Sequence, residues 1–110
     1  MLKPRSESSI TRTIQKYLQK TGAWEYKTMG SPYTRTGVPD LLVCYKGVFI
    51  GLEIKVPGED PTKIQQFEIA MIKKAGGISL SVSCLRTVQD IIEKIDTMKE
   101  GKHETNLSRH

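Results

Sequence analysis

The sequence predicts an α/β (α+β) fold, a mixed central sheet flanked by helices. Three observations carry this. Apolar residues recur at helical spacing in three segments and have strand character in four others, in the order α-β-β-β-α-β-α. Two of the strand segments, DLLVCY and VFIGLEIK, are separated only by Lys46-Gly47, a hairpin signal. A helical segment then stands between the third and fourth strands.

The first helix is predicted over Ser6–Lys20, with Ser6 as N-cap and Ile10, Ile14, Tyr17 and Leu18 as its apolar face. Arg12, Lys16 and Lys20 lie away from that face, and Thr21-Gly22 ends the helix. Ala23–Met29 has the aromatic, alternating character of a strand. Trp24 and Tyr26 read first as core or strand residues, with base stacking as the second reading. Gly30–Pro39 is a loop rich in Gly and Pro. Asp40–Tyr45 and Val48–Lys55 form the hairpin. Asp60 or Thr62 caps a second helix, Pro61–Ala75, with Ile64, Phe67, Met71 and Ala75 on one stripe. Ile78–Cys84 alternates as the fourth strand. Thr87–Asp90 resembles a capping box that starts a third helix, whose apolar face is Val88, Ile91, Ile92, Ile95 and Met98. The expected division is a folded domain over 1–98 and a loose tail over 99–110.

The chain has 110 residues, 37% hydrophobic and 26% charged, which suits one globular domain with its own core. Its apolar runs are far too short to span a membrane, and the start has no apolar signal-like stretch. A cytoplasmic protein is expected. Cys44 and Cys84 read as small reduced core residues. Both histidines, His103 and His110, fall in the tail, which argues against a zinc site or a His-based triad. Neither a dinucleotide-binding glycine motif nor a phosphate-binding loop is present.

The net charge of +5 is unevenly placed. Residues 1–36 hold seven bases and two acids, the whole excess, whereas the chain from Val38 onward is neutral. A basic end suits a polyanion such as nucleic acid.

Strand geometry places the chemistry. Glu53 and Lys55 are two apart and share a face, while Val48, Ile50, Leu52 and Ile54 project from the other, core-packed face. If Lys46-Gly47 is a two-residue turn, Tyr45 opposes Val48, and five steps further Asp40 opposes Glu53. Opposed residues have Cβ atoms about 5 Å apart. Two carboxylates that close repel unless they share a proton or a cation. A hard cation such as Mg²⁺, with Mn²⁺ able to substitute, takes one or two carboxylates and leaves room for phosphate oxygens. Lys55 beside them is a structural counter-ion, a stabiliser of charge on a reacting phosphate, or an orienter of water.

Pro39-Asp40, twelve residues, then Glu53-Ile54-Lys55 resembles the PD-(D/E)xK nuclease superfamily. The step Gly37-Val38-Pro39-Asp40 is most similar to the virus-type replication-repair nuclease (VRR-NUC) family. The resemblance covers about Glu7 to Gly77. It implies a restriction-endonuclease-like αβββαβ core and a metal bound by Asp40, Glu53 and the carbonyl of Ile54. It also implies that Lys55 serves the water or the transition state, that a glutamine of the next helix (Gln65 or Gln66, Gln65 by motif spacing) belongs to the site, and that Glu7 is the acid of the first helix. Glu7 continues the inward stripe of its helix, but an acid in a first turn is also favoured by the helix dipole. Arg12, Lys16 and Lys20, with Arg35 of the loop, are the expected DNA contacts.

The expected function is therefore a Mg²⁺-dependent DNA endonuclease. Nothing in the sequence looks like a sequence-reading module, so structure-selective cutting of branched DNA, such as a four-way (Holliday) junction, is expected, by a homodimer. The rival readings are a DNA-binding module of the same fold without catalysis, a nicking or restriction-type nuclease, and a small basic scaffold protein.

Overall fold

A computed structural model describes residues 6–28 and 32–108, with side chains described as far as Gly101. Seven elements follow one another: α1 (Glu7–Thr21), β1 (Trp24–Lys27), β2 (Leu41–Tyr45), β3 (Val48–Ile54), α2 (Lys63–Lys74), β4 (Ile78–Val82) and α3 (Leu85–Ser108). The order is the one the hydrophobic pattern predicts.

The sheet runs β1-β2-β3-β4. The first three strands are antiparallel, and β4 pairs with β3 in parallel after the α2 crossover. Lys46 and Gly47 both take positive φ, 48° and 81°, as a two-residue hairpin turn of type I′ requires. Tyr45 faces Val48 and Leu41 faces Leu52, so the register is the one expected from the sequence. Tyr45 Oη and Lys46 Nζ both donate to Asp96 Oδ1, at 2.7 and 2.6 Å, tying the hairpin tip to α3.

One face of the sheet carries the core. Leu41, Val43, Ile50, Leu52, Ile54 and Val82 pack there against Ile10, Ile14 and Leu18 of α1 and Val88, Ile92 and Ile95 of α3. Helix α1 starts at Ser6, whose Oγ accepts from the Ser9 amide at 3.1 Å, and ends at Gly22 in the left-handed region. The other face carries α2, chiefly over β3 and β4. There Gly51 admits a close approach: a Cβ on it would sit 3.0 Å from both Ile72 and Pro39.

Four local expectations are corrected. The α2 stripe Ile64, Phe67 and Met71 faces solvent, with Phe67 60% exposed, because the helix is rotated to turn Gln65, Glu68 and Ile72 toward the sheet. Its N-cap is Thr62, in a true capping box with Gln65, whereas the Thr87–Asp90 segment lies inside α3. Helix α3 runs past Met98 to Ser108, so the described part of the segment read as tail is helical; the Lys and Glu residues there are good helix formers and no proline interrupts them. Cys44 is exposed on the face opposite the core, and no disulfide joins it to Cys84. No helix among the described residues is long and apolar enough to cross a membrane.

Candidate active site

Asp40 immediately precedes β2, and the hairpin register continued by one step sets it opposite Glu53 near the end of β3. The Pro39-Asp40 step is clamped from β1. Thr28 is buried; its amide donates to the Asp40 carbonyl at 2.9 Å and its Oγ1 to the Pro39 carbonyl at 2.7 Å. Asp40 Oδ2 accepts the Ile54 amide across the hairpin at 2.8 Å. Gly37 ahead of this step has φ 94°, and a Cβ there would meet the Ile64 carbonyl at 2.9 Å, so only glycine fits between loop and helix.

Glu53 is 3% exposed. It stands on the less apolar face, as expected, but that face is not open at this point because α2 covers it. Gln65 Nε2 donates to Glu53 Oε1 at 3.1 Å, while Gln65 Oε1 accepts the Thr62 amide at 2.8 Å. Gln66 instead donates to the Pro61 carbonyl. Of the two candidate glutamines, Gln65 is the one that reaches the carboxylate. Glu53 Oε2 is buried and has no hydrogen-bond partner.

Burial raises the pKa of Glu53 from 4.5 to about 8, and the Asp40 charge beside it adds to the rise. A protonated Glu53 also gains a hydrogen bond to Asp40. Lys55 pulls the value down, and Glu7 adds a smaller upward push. Lys55 follows β3 directly; its amide donates to Val82, and its ammonium makes no ion pair with either carboxylate. Glu7, at the first position of α1, comes close enough to act on Glu53 through its charge.

Asp40, Glu53, Lys55, Gln65 and, electrostatically, Glu7 thus gather at one end of the sheet. The predicted DNA contacts do not. Arg12, Lys16 and Lys20 are exposed on the outer surface of α1, which packs on the core face, whereas Asp40 and Glu53 stand on the opposite face. Helical spacing gives the side of a helix, not the side of the sheet it will cover. Arg35 is held by α2: its Nε and Nη2 donate to the two carboxylate oxygens of Glu68 at 2.9 and 2.8 Å. Sequence reasoning missed Glu68 and Thr28. Glu68 stands three after Gln65, on the same helix side, and that spacing was the available signal. For Thr28 there was none.

The described residues include no group of three or more His, Cys, Asp or Glu side chains able to hold a metal. The set here is two opposed carboxylates, one of whose oxygens is buried and unpartnered. Such oxygen donors fit a hard divalent cation, which would offset both the burial and the Asp40 repulsion that favour protonated Glu53.

No family model and no curated protein matches the chain. Solved structures do. One, described as "VRR_NUC domain", superposes with a TM-score of 0.68 at 27% identity, over 79% of this chain and 94% of the other. In fold, and in part of its sequence, this chain is similar to VRR-NUC domains. A second structure, "VRR_NUC domain protein", has a TM-score of 0.66 at 17% identity over 83% and 88% of the two chains, and shares the fold. The likeness agrees with the Gly37–Asp40 step and with Glu53-Ile54-Lys55 lying side by side at the hairpin's open end.

Proposed function

We propose that this VRR-NUC-like domain is a divalent-metal-dependent DNA endonuclease that cuts branched DNA as a homodimer. The observation that carries the reading is the buried, unpartnered Oε2 of Glu53 opposite Asp40. Keeping an orphan carboxylate oxygen in the interior is costly unless a proton or cation occupies its neighbourhood. Asp40, Glu53 and the Ile54 carbonyl would hold Mg²⁺ or Mn²⁺. A divalent ion bound there supplies Lewis-acid neutralisation of a phosphate oxygen and lowers the pKa of water. The chain's own groups do the rest. The Ile54 amide and Gln65 fix the two carboxylates, and Lys55, not tied up in an ion pair, stabilises negative charge that grows on the reacting phosphate.

One chain offers one such site, and resolving a four-way junction needs two cuts on differently oriented strands. A two-fold dimer matches that symmetry. The test is incubation of a labelled four-way junction with Mg²⁺, Mn²⁺ or EDTA. Paired cuts with either metal and none in EDTA are expected. Binding without cleavage under all three conditions would point to a catalytically inactive DNA-binding module.

A further inference from the structure

Trp24 and Tyr26 on β1 are 58% and 54% exposed, so the core reading of these residues is corrected. Their ring centroids are 6.2 Å apart and their planes lie within 6° of parallel. In register Trp24 stands beside Cys44 and Tyr26 beside Leu42, so both project from the face that carries Asp40 and Glu53. Thr28, whose amide bonds the Asp40 carbonyl, is two residues beyond Tyr26. At about 3.3 Å per strand residue, Tyr26 and Trp24 lie about 7 and 13 Å along β1 from that point. This spans about two to four base steps at the ~3.4 Å rise of one DNA strand.

Helix α2 packs chiefly on β3 and β4, which leaves both rings exposed. Position selects the occupant. The two rings stand on the face that carries Asp40 and Glu53 and in line with them, so a strand that reaches those carboxylates passes over the rings. Parallel exposed rings are how sequence-tolerant single-strand binders hold successive bases. Bases inside a continuous duplex stack on each other and are not available to such a surface.

We propose that Trp24 and Tyr26 form a stacking platform for unpaired bases of the DNA strand that enters the Asp40–Glu53 site. Resting on the nuclease reading above, this narrows the branched substrate to one whose branch point exposes unpaired bases beside the scissile phosphate.

Trp24 is the sole tryptophan of the chain, so selectively excited tryptophan fluorescence reports on this position alone. The full chain is titrated in EDTA with a short oligothymidylate and with a blunt duplex of equal length. Saturable quenching by the single strand, at lower concentration than by the duplex, is expected. In anisotropy titrations of a labelled oligothymidylate, Trp24→Ala and Tyr26→Ala each weaken binding by about five- to 150-fold, whereas Tyr26→Phe retains it. The titration is made without metal, so failure of the metal-site reading leaves this readout standing. Absence of quenching, or unchanged affinity in both alanine variants, overturns the proposal. So does a change in the sedimentation of the free alanine variants with DNA affinity intact, which would mark the rings as a subunit interface.

Discussion

Gln65 binds one oxygen of Glu53, at 3.1 Å, and leaves the other buried with no donor. The same amide closes the capping box of α2 on Thr62, so a helix start and a site carboxylate share one side chain. Local helix chemistry thereby fixes the position of an acid on a distant strand.

Gln65→Ala therefore loses two functions at once. The N-terminal turn of α2 loosens, and Mg²⁺ affinity falls by about 10- to 100-fold, as for other groups that orient a metal ligand. Gln65→Glu preserves the capping box but sets a third carboxylate against Glu53, and is expected to destabilise the metal-free protein. Calorimetric metal titration together with thermal melts of both variants checks this; equal metal affinity in wild type and Gln65→Ala would remove Gln65 from the site.

Asp40→Asn and Glu53→Gln should each abolish cleavage while the metal-free fold holds or gains stability. The pH dependence gives a separate signature. Glu53 titrates near 4.5 when unfolded and about 8 when folded, so between these values the folded chain holds more protons. Metal-free stability should fall as pH rises through that window, by at most about 1.4 kcal/mol per unit. Glu53→Gln should flatten this slope. Denaturant melts in EDTA from pH 4 to 9 measure it, and a slope identical in wild type and Glu53→Gln contradicts the assignment.

Lys55→Ala should keep DNA and metal binding and lose about two or more decades in single-turnover rate. If binding and rate fall in proportion, Lys55 is a positioning group instead.

The Arg12, Lys16 and Lys20 stripe lies on the layer opposite the carboxylates, which makes its role in DNA binding a sharp question. Neutralising all three should weaken binding to every DNA form. It should also reduce the slope of log K against log salt by up to about 0.9 for each phosphate no longer neutralised. An unchanged slope would place the DNA wholly on the other face, with Trp24 and Tyr26.

For the dimer, the sequence offers the apolar face of α3, but its Val88, Ile92 and Ile95 are buried in the core and only Met98 is strongly exposed. A three-residue exposed apolar stripe lies on α2, at Ile64, Phe67 and Met71. Light scattering should find a dimer at micromolar concentration, and Phe67→Glu should shift it toward monomer. A wild-type monomer that nicks only one strand of a junction would falsify the paired-cut model.

The sequence by itself determined the order of elements, the hairpin register and the partnership of Asp40 with Glu53. These follow from short-range rules: side chains alternate every residue along a strand, and a two-residue Lys-Gly turn leaves no slack in pairing. Only the tertiary structure decided what covers each face. Periodicity shows that Ile64, Phe67 and Met71 share a side of α2, yet Gln65, Glu68 and Ile72 won the inward position. Their combined fit to Glu53, Arg35 and Gly51 depends on three segments far apart in sequence. The same holds for Trp24 and Tyr26. An alternating aromatic strand looks the same whether a helix lies over it or not, and α2 packs chiefly on β3 and β4, leaving both rings exposed.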